Sequence, residues 1–346
     1  MKRILFVLPL AAALAACGSG GSGGGSSSSQ IKVVGSSTVY PFTKAVAEGF
    51  QRAHAGTSVI VESTGTGAGM KLFCSGVGSE FPDVVDASRP MKASEYEACQ
   101  KAGAKTIIEV PIGIDGLTLI EANGAPQLNL TVADIYKALA ANPFGKGANK
   151  AQTWKDVNPS LPALKIRVLG PPPTSGTRDS LAELILTKGC ESDPAMKALK
   201  KADEAKHKDI CTKVREDGAF VEAGENDNLL VQKVSADPGT LGVLGYSYLE
   251  ENKDKVRPVA LAGVVPTEET IGNLSYPGAR KLFIYVKGEH MQAKPLLRDF
   301  AAAYAKVWGK GGPLERIGLV PLGGADAPAA GKQAAELTPL DPATLK

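Results

Sequence analysis

Strand and helix signals alternate along almost the whole chain, and this alternation limits the fold more than any other feature of the sequence. Ile31 to Val34 is a short β run. Pro41 to His54 has helical spacing, with Phe42, Val46 and Phe50 on one face. Ser58 to Glu62 is β-like, Met70 to Cys74 helical, and Val84 to Ala87 another strand. Ser94 to Lys101 reads as a helix with Ser94 as its N-cap, and strands follow at Thr106 to Val110 and Leu117 to Glu121. The second half repeats the pattern. Helices are expected at Thr131 to Ala140 (N-capped by Thr131), Arg178 to Leu186, Asn226 to Ser235 and Pro295 to Val307. Strands are expected at Lys165 to Leu169, Gly242 to Tyr246 and Lys281 to Val286. Such a pattern predicts an α/β architecture with largely parallel sheets. The Ala-, Pro- and Gly-rich tail from Gly323 is expected to pack loosely. A length of 346 residues corresponds to two domains.

Composition excludes several classes. With 43% hydrophobic and 22% charged residues the chain is globular, neither disordered nor a coiled coil. Its 39 basic and 36 acidic side chains leave a net charge of +3, and aromatics make up only 5%. Neither a basic stripe nor a stacking platform results, so no nucleic-acid partner is expected.

The N-terminus is an address. Lys2 and Arg3 precede an apolar run, Ile4 to Ala13, too short to span a bilayer comfortably. Leu14-Ala15-Ala16-Cys17 resembles a bacterial lipobox, in which the cysteine is lipidated and becomes the new N-terminus; an ordinary secretory peptide is the alternative. Residues 1–16 are thus expected to be a lipoprotein signal peptide. Residues 17–30 would be the lipidated Cys17 with a Gly/Ser tether, whose r.m.s. reach is ~20 Å. Gly18 after that cysteine lacks the acidic residue associated with inner-membrane retention. The expected location is the periplasm or cell surface, held to a membrane through the lipid alone.

Cysteine usage supports export. Setting Cys17 aside, four of the five cysteines remain: Cys74, Cys99, Cys190 and Cys211. None belongs to a CxxC, so zinc and thioredoxin-type readings are weak. Of the possible connectivities, Cys74–Cys99 with Cys190–Cys211 is preferred, because each pair lies within one local stretch. Such bridges typically contribute about 2–4 kcal/mol each; four free buried thiols are the alternative.

Three loops share a chemistry. Gly35 to Thr38, Thr64 to Gly69 and Thr174 to Thr177 each follow a strand, consist of Gly, Ser and Thr, and open a helix. Helix N-termini present unpaired N–H groups and partial positive charge, hydroxyls add neutral donors, and glycines allow close backbone approach. Any one such loop is ordinary capping and turn chemistry. Three together, with Arg89 after Asp86-Ala87-Ser88 and Arg178 after Ser175-Gly176-Thr177, read as an oxyanion pocket.

Gly35-Ser36-Ser37-Thr38-Val39-Tyr40-Pro41-Phe42, Gly65-Thr66-Gly67-Ala68-Gly69, Asp86-Ala87-Ser88-Arg89-Pro90-Met91 and Thr174-Ser175-Gly176-Thr177-Arg178-Asp179 occur in that order. Asn226-Asp227, Pro238-Gly239 and Leu241 to Tyr248 follow. Over Ile31 to Leu322 the chain resembles the phosphate-binding proteins, substrate receptors of bacterial ABC phosphate importers. The resemblance implies a type II periplasmic-binding-protein fold, two α/β lobes joined by a two-stranded hinge. Lobe one would comprise 31–112 plus 282–346 and lobe two 113–281. It also implies a monomer that binds inorganic phosphate between the lobes, delivers it to the importer's membrane subunits, and uses no metal or cofactor.

Carried over by motif, the ligand contacts are Thr38 and the N–H of Val39, Thr66, and Ser175, Gly176 and Thr177 from the opposite lobe. Arg89 and Arg178 would supply positive charge from two directions, so Arg89→Ala or Arg178→Ala is expected to weaken binding by several kcal/mol. Two positions depart from the best-known members: Arg89 stands where they place a carboxylate, and Pro171 where they place an arginine. The carboxylate matters because phosphate near neutral pH carries a proton that sulfate lacks, and a buried acceptor reads that proton. Asp86 is the nearest replacement, but on a strand it would face away from Arg89; pairing with an arginine is its alternative role. Selectivity among phosphate, sulfate, arsenate and molybdate, and a sensing role in place of transport, are therefore left open.

An enzyme is the competing class, with a phosphatase as its most plausible form. The three histidines, His54, His207 and His290, are scattered without metal spacing and read as surface residues. GxSxG, HExxH and a P-loop with its lysine are all missing. Trp154 and Trp308 read as core or hinge-side packing, and Lys197 to Lys208 as the solvated face of a helical region.

Overall fold

The inner strands Val84–Ala87, Leu241–Gly245 and Ala279–Lys287 are almost wholly buried, as strands covered by helices on both faces are, while the edge strand Ser58–Ser63 stays largely exposed. The computed structural model describes residues 30–173, 175–224 and 226–345. The signal-like segment, Cys17 and the tether up to Ser29 lie outside the described residues, as does Thr174 of the third loop.

The first part of the chain runs β1 (Gln30–Gly35), α1 (Tyr40–Ala53), β2 (Ser58–Ser63), α2 (Thr66–Phe73), β3 (Val84–Ala87) and α3 (Ala93–Lys101) into a long strand, β4 (Ile107–Ala122). A middle part follows: β5 (Asn129–Leu130), α4 (Val132–Leu139), α5 (Trp154–Val157), β6 (Val168–Gly170), α6 (Gly176–Ser180), a π-helical stretch over Leu181–Leu186, and α7 (Thr187–Cys190). It continues through α8 (Pro194–Ala202), α9 (Glu204–Thr212), β7 (Phe220–Glu222), α10 (Asp227–Ala236), β8 (Leu241–Gly245), α11 (Tyr246–Glu251), β9 (Val256–Pro258), β10 (Ala260–Leu261) and α12 (Glu268–Gly272). The chain then returns through β11 (Ala279–Lys287), α13 (His290–Ala293), α14 (Leu296–Ala305) and α15 (Asp326–Glu336).

Among the described residues, nine strands form one continuous sheet in the order β2-β1-β3-β11-β4-β8-β6-β7, with β9 also on β4. It is mixed rather than largely parallel. β1 pairs in parallel with β2 and β3, and β6 with β7 and β8. The middle is antiparallel, because β11 comes back from far along the chain to lie between β3 and β4. The two strands expected at Thr106–Val110 and Leu117–Glu121 are one. Pro111 does not break it, because the register shifts there: Leu282 faces Gly113 and Phe283 faces Pro111, so Ile112 is extra. Proline has no N–H to donate and is tolerated at such a bulge.

Two apolar layers flank the first part of the sheet. One, around Phe42, Phe50, Ile284 and Phe300, lies under α1 and α14; the other, around Met70, Phe73 and Tyr285, lies under α2. A separate large cluster around Ile120, Tyr136, Trp154, Ile185 and Val243 fills the middle part. The tail is not loose. α15 packs beside α14 with Ala330 and Ala334 buried, and the N–H of Leu340 donates to Ile107 O at 2.7 Å. Small side chains four apart on one face let that helix approach closely.

Local signals hold with two exceptions. Thr131 caps α4, accepting from the N–H of Asp134 at 3.1 Å. Ser94 does not cap α3, which starts one residue earlier; Glu95 takes the N–H of Lys92 at 2.9 Å and fixes that turn. α2 begins at Thr66 and so contains the glycines. Gly69 passes so close to β1 that a Cβ would stand 2.5 Å from the Cα of Gly35. Both preferred disulfides are present, Cys74–Cys99 and Cys190–Cys211.

The histidines differ from expectation. His54 stacks on Phe50. His290 is buried: its Nε2 accepts from the N–H of Gly78 at 3.1 Å, so Nδ1 carries the proton toward Asp83, 2.6 Å away. His207 is buried as well. Trp154 lies in the middle core and Trp308 is partly buried against the first. No helix among the described residues is long and apolar enough to cross a membrane.

Candidate functional site

The three Gly/Ser/Thr loops lie where strands of the two parts of the sheet end, and the first and third touch. At Gly35 the backbone takes φ 134°, and a Cβ there would strike Asp86 O at 2.2 Å. Its carbonyl accepts from the N–H groups of Thr64 and Gly65 at 2.9 and 2.7 Å, which binds the second loop to the first. Ser36 to Val39 then turns into α1, with the Ser36 hydroxyl accepting from the N–H of Val39 at 3.4 Å.

Opposite stands the third loop. Ser175 caps α6 and accepts from the N–H of Thr177 at 3.2 Å. Gly176 rests against the first loop so closely that a Cβ would be 2.6 Å from the Cα of Thr38. Ser37 donates to the Asp179 carboxylate and Thr38 donates to Gly176 O at 3.2 Å, both across the junction. Thr38, Asp115, Ser175, Gly176 and Thr177 line a cavity of about 330 Å³ at this point. A larger groove of about 920 Å³ lies elsewhere, beside Trp308 and Leu322. Glu268, Glu269 and Asp326 line it with Lys310 as the one basic side chain, a net negative setting and so unfavourable for an anion.

One residue joins the two loops that the motifs do not reveal. Arg280, at the start of β11, is 8% exposed. Its Nη2 donates to Thr38 Oγ1 at 2.9 Å and to Ser180 Oγ at 2.7 Å. Nε lies 3.2 Å from Asp115, and Nη1 pairs with Glu183. Two relays run outward: Arg280 to Thr38 to Gly176 O, and Arg280 to Ser180 to Asp115 (2.6 Å). A buried guanidinium is tolerated only when its donors are met in this way. Glu183 sits on the π-helical stretch, a widened turn that commonly marks functional positions, and is half exposed.

The second loop adds hydroxyls nearby. Ser88 Oγ and Thr66 Oγ1 lie 3.0 Å apart, the N–H of Ser88 donates to Thr66 at 3.2 Å, and Ser88 Oγ reaches Glu183 at 3.4 Å. Thr38, Ser175, Gly176 and Thr177 are thus brought together at one cavity. Thr66 is tied to it through Ser88 and Glu183, and Val39 through Ser36.

The two expected arginines are engaged elsewhere. Arg89 forms a bidentate pair with Glu95, at 2.9 and 2.7 Å. Burial would lower its pKa, but Glu95 more than offsets this and raises it. Arg178 lies 4.4 Å above the Phe220 ring and donates to Pro171 O at 3.2 Å. Burial lowers its pKa, and Glu222, 3.7 Å away, only partly restores it. Asp86 pairs with no arginine either. It is buried against α1, accepts from Thr43 Oγ1 at 2.9 Å, and burial pushes it up to about 8. Asp179 is also raised, by burial first, against the bond from Ser37.

Arg280 was legible in one respect. It shares strand parity with Leu282, Ile284 and Val286, all buried, so an arginine continues an apolar stripe. The chemistry assembled is one guanidinium, several hydroxyls and a helix start facing three carboxylates.

Comparison with known proteins agrees with this picture. The family described as "PBP superfamily domain" matches residues 20–305. The chain is 36% identical over 331 residues to Protein SphX of Synechococcus elongatus, covering 93% of this chain and 86% of that protein. It is 32% identical over 302 residues to the phosphate-binding protein PstS of Staphylococcus epidermidis, covering 85% and 81%. The crystal structure of a possible phosphate binding protein from Planctomyces limnophilus superposes with a TM-score of 0.71 at 28% identity, over 89% of this chain and 98% of that one. The type II periplasmic-binding fold and its two arrays of strand-end loops are therefore those of a known group: this chain belongs to the PBP superfamily and, within it, to the family of the phosphate-binding proteins.

Proposed function

We propose that the protein binds inorganic phosphate at the Arg280 junction and delivers it to the membrane subunits of an ABC importer. The observation that carries the reading is the meeting of Thr38, Ser175, Gly176 and Thr177 around a buried arginine, in a chain whose relatives are phosphate-binding proteins. Two lobes, 31–112 with 282–346 and 113–281, rotate about β4 and β11 to admit the anion. Glu183, half exposed and on Arg280, swings out as phosphate takes its place on the guanidinium. Fixed hydroxyls and N–H groups then replace the anion's water at little reorganisation cost. Asp115 stays, held by Ser180, and lines the cavity as the acceptor for the phosphate proton. Sulfate, with no proton to offer, would face an uncompensated carboxylate there. The cycle is capture and release, without turnover.

Cys17 carries a lipid, residues 1–16 are removed, and the Gly/Ser tether holds a monomeric receptor at the periplasmic or outer surface of a membrane. The lipobox resemblance supports this.

The test is calorimetric titration of the ligand-stripped protein with phosphate, arsenate, sulfate and molybdate in turn. Micromolar or tighter phosphate binding with no heat from sulfate is the expected result. Sulfate binding as tight as phosphate would remove Asp115 as a proton reader, and silence from all four would overturn the function.

A further inference from the structure

Cys190 and Cys211 form a disulfide, yet the side chains around it are those of a metal centre. Cys190 ends α7, and His207 and Cys211, four apart on α9, project from one face of that helix. One ligand atom from each of Cys190, His207 and Cys211 falls within 4.8 Å of the others, and all three residues are buried. The His207 side chain is 5% exposed and its Nε2 has no hydrogen-bond partner. An imidazole nitrogen buried in this way costs free energy in a purely structural role. Glu191, next to Cys190, holds a carboxylate oxygen 3.4 Å from that nitrogen; the oxygen accepts from Lys200 Nζ at 2.7 Å and would have to turn from that exposed lysine to reach a metal. The other disulfide, Cys74–Cys99, belongs to no such group among the described residues.

We propose that, in the dithiol state of this protein, Cys190, His207 and Cys211 bind Zn²⁺, with Glu191 as the fourth donor. Two thiolates, an imidazole and a carboxylate are a donor set suited to tetrahedral zinc. A dithiol reductant supplies two electrons and two protons, closing its own disulfide as the Cys190–Cys211 bond breaks to two thiols. Zn²⁺ then displaces both thiol protons. Bonds of about 2.3 Å at a tetrahedral angle require the sulfurs to part to ~3.8 Å. With the Cα atoms 5.4 Å apart, side-chain rotation provides this. The same two sulfurs thereby hold α7 to α9 under reducing conditions through the metal and under oxidising conditions through the disulfide.

The experiment is titration of the full chain with Co²⁺, then Zn²⁺, after reduction by a phosphine under argon. One equivalent of Co²⁺ is expected to bind with thiolate-to-cobalt charge-transfer absorption, which Zn²⁺ abolishes; the oxidised protein takes up none. The Cys190→Ser/Cys211→Ser variant, which keeps Cys74 and Cys99, should lose the absorption. The Cys74→Ser/Cys99→Ser variant should keep it. His207→Gln, which leaves both cysteines of the bridge in place, should bind Co²⁺ at least tenfold more weakly once reduced. Should reduction unfold the chain, Zn²⁺ is expected to restore the native circular dichroism spectrum. No stoichiometric uptake, no restoration after unfolding, equal affinity in His207→Gln, or absorption surviving in Cys190→Ser/Cys211→Ser would each overturn the proposal.

Discussion

Replacing Arg280 with glutamine separates the proposed site from the one that motif matching alone suggests. The guanidinium holds Thr38 at 2.9 Å, Ser180 at 2.7 Å and Asp115 at 3.2 Å, and it pairs with Glu183. Bound phosphate would take the Glu183 position on Nη1 as a charge-assisted ligand. Charge-assisted hydrogen bonds contribute roughly 1.5–3 kcal/mol each, and truncating a buried charge partner costs about 2–5 kcal/mol or more. The expected loss is thus roughly 3–5 kcal/mol, or about 150- to 5,000-fold in Kd. Glutamine retains an amide donor for Thr38 or Ser180, which limits collapse of the junction. Calorimetric titration with phosphate measures Kd, and urea unfolding without ligand measures the separate stability cost of leaving Asp115 unpaired. Arg89→Ala and Arg178→Ala are the controls. Their guanidiniums are met by Glu95 and by Phe220 with Pro171, so each should stay within about threefold of wild type. Near-wild-type binding by Arg280→Gln, with hundredfold losses in either control, would refute the reasoning and restore the assignment by motif.

The remaining predictions follow from neighbouring contacts. Glu183→Gln removes the carboxylate that competes for Arg280 and should tighten phosphate binding by roughly threefold to tenfold, read by the same titration. Asp115→Asn replaces a proton acceptor with a group that also donates, so sulfate should gain affinity while phosphate loses it; an unchanged ratio would remove Asp115 from selectivity. Burial raises the Asp86 pKa from 3.8 to about 8 and favours its neutral form in the fold, so its contribution is fully present below pH 4 and is lost as pH rises to 8. Asp86→Asn should therefore exceed wild type in stability by on the order of 3–4 kcal/mol near pH 7 and by nothing near pH 4. Urea midpoints across that range check it, and parallel pH profiles would contradict it. Cys17→Ala should move the protein from the membrane to the soluble fraction, with continued membrane retention counting against the lipid anchor.

Much of the fold was legible because its signals are local. Thr131 caps its helix through a bond three residues away, and both disulfides join cysteines within one stretch of chain. The loop motifs were legible too, since Gly35 and Gly176 are required by contacts that admit no Cβ. What escaped was long-range. Arg280 meets Thr38 across 242 positions; its place on the apolar stripe of Leu282, Ile284 and Val286 marks it as buried, but nothing near it in sequence names its partners. Arg89 and Arg178 adjoin the right motifs but extend away from the cavity, because Glu95 and Phe220 offer nearer partners. The α15 tail looked loose because alanine carries little hydropathy signal, although it fits well against a neighbouring helix.

The placement of β11 has a consequence for how the molecule comes into being. This strand is inserted between β3 and β4, yet some 160 residues separate its first residue from the end of β4. A chain emerging N-terminus first therefore exposes two unzipped edges until just over four-fifths of the 346 residues are available. Long loop closure must precede the rewarding contacts, which makes folding slow. The middle part can condense meanwhile, since β6, β7 and β8 lie within one uninterrupted stretch. The proposed anion site, however, is completed only when Arg280 arrives. With this order of events, the charge proposed to hold the ligand arrives at the step that seals the sheet.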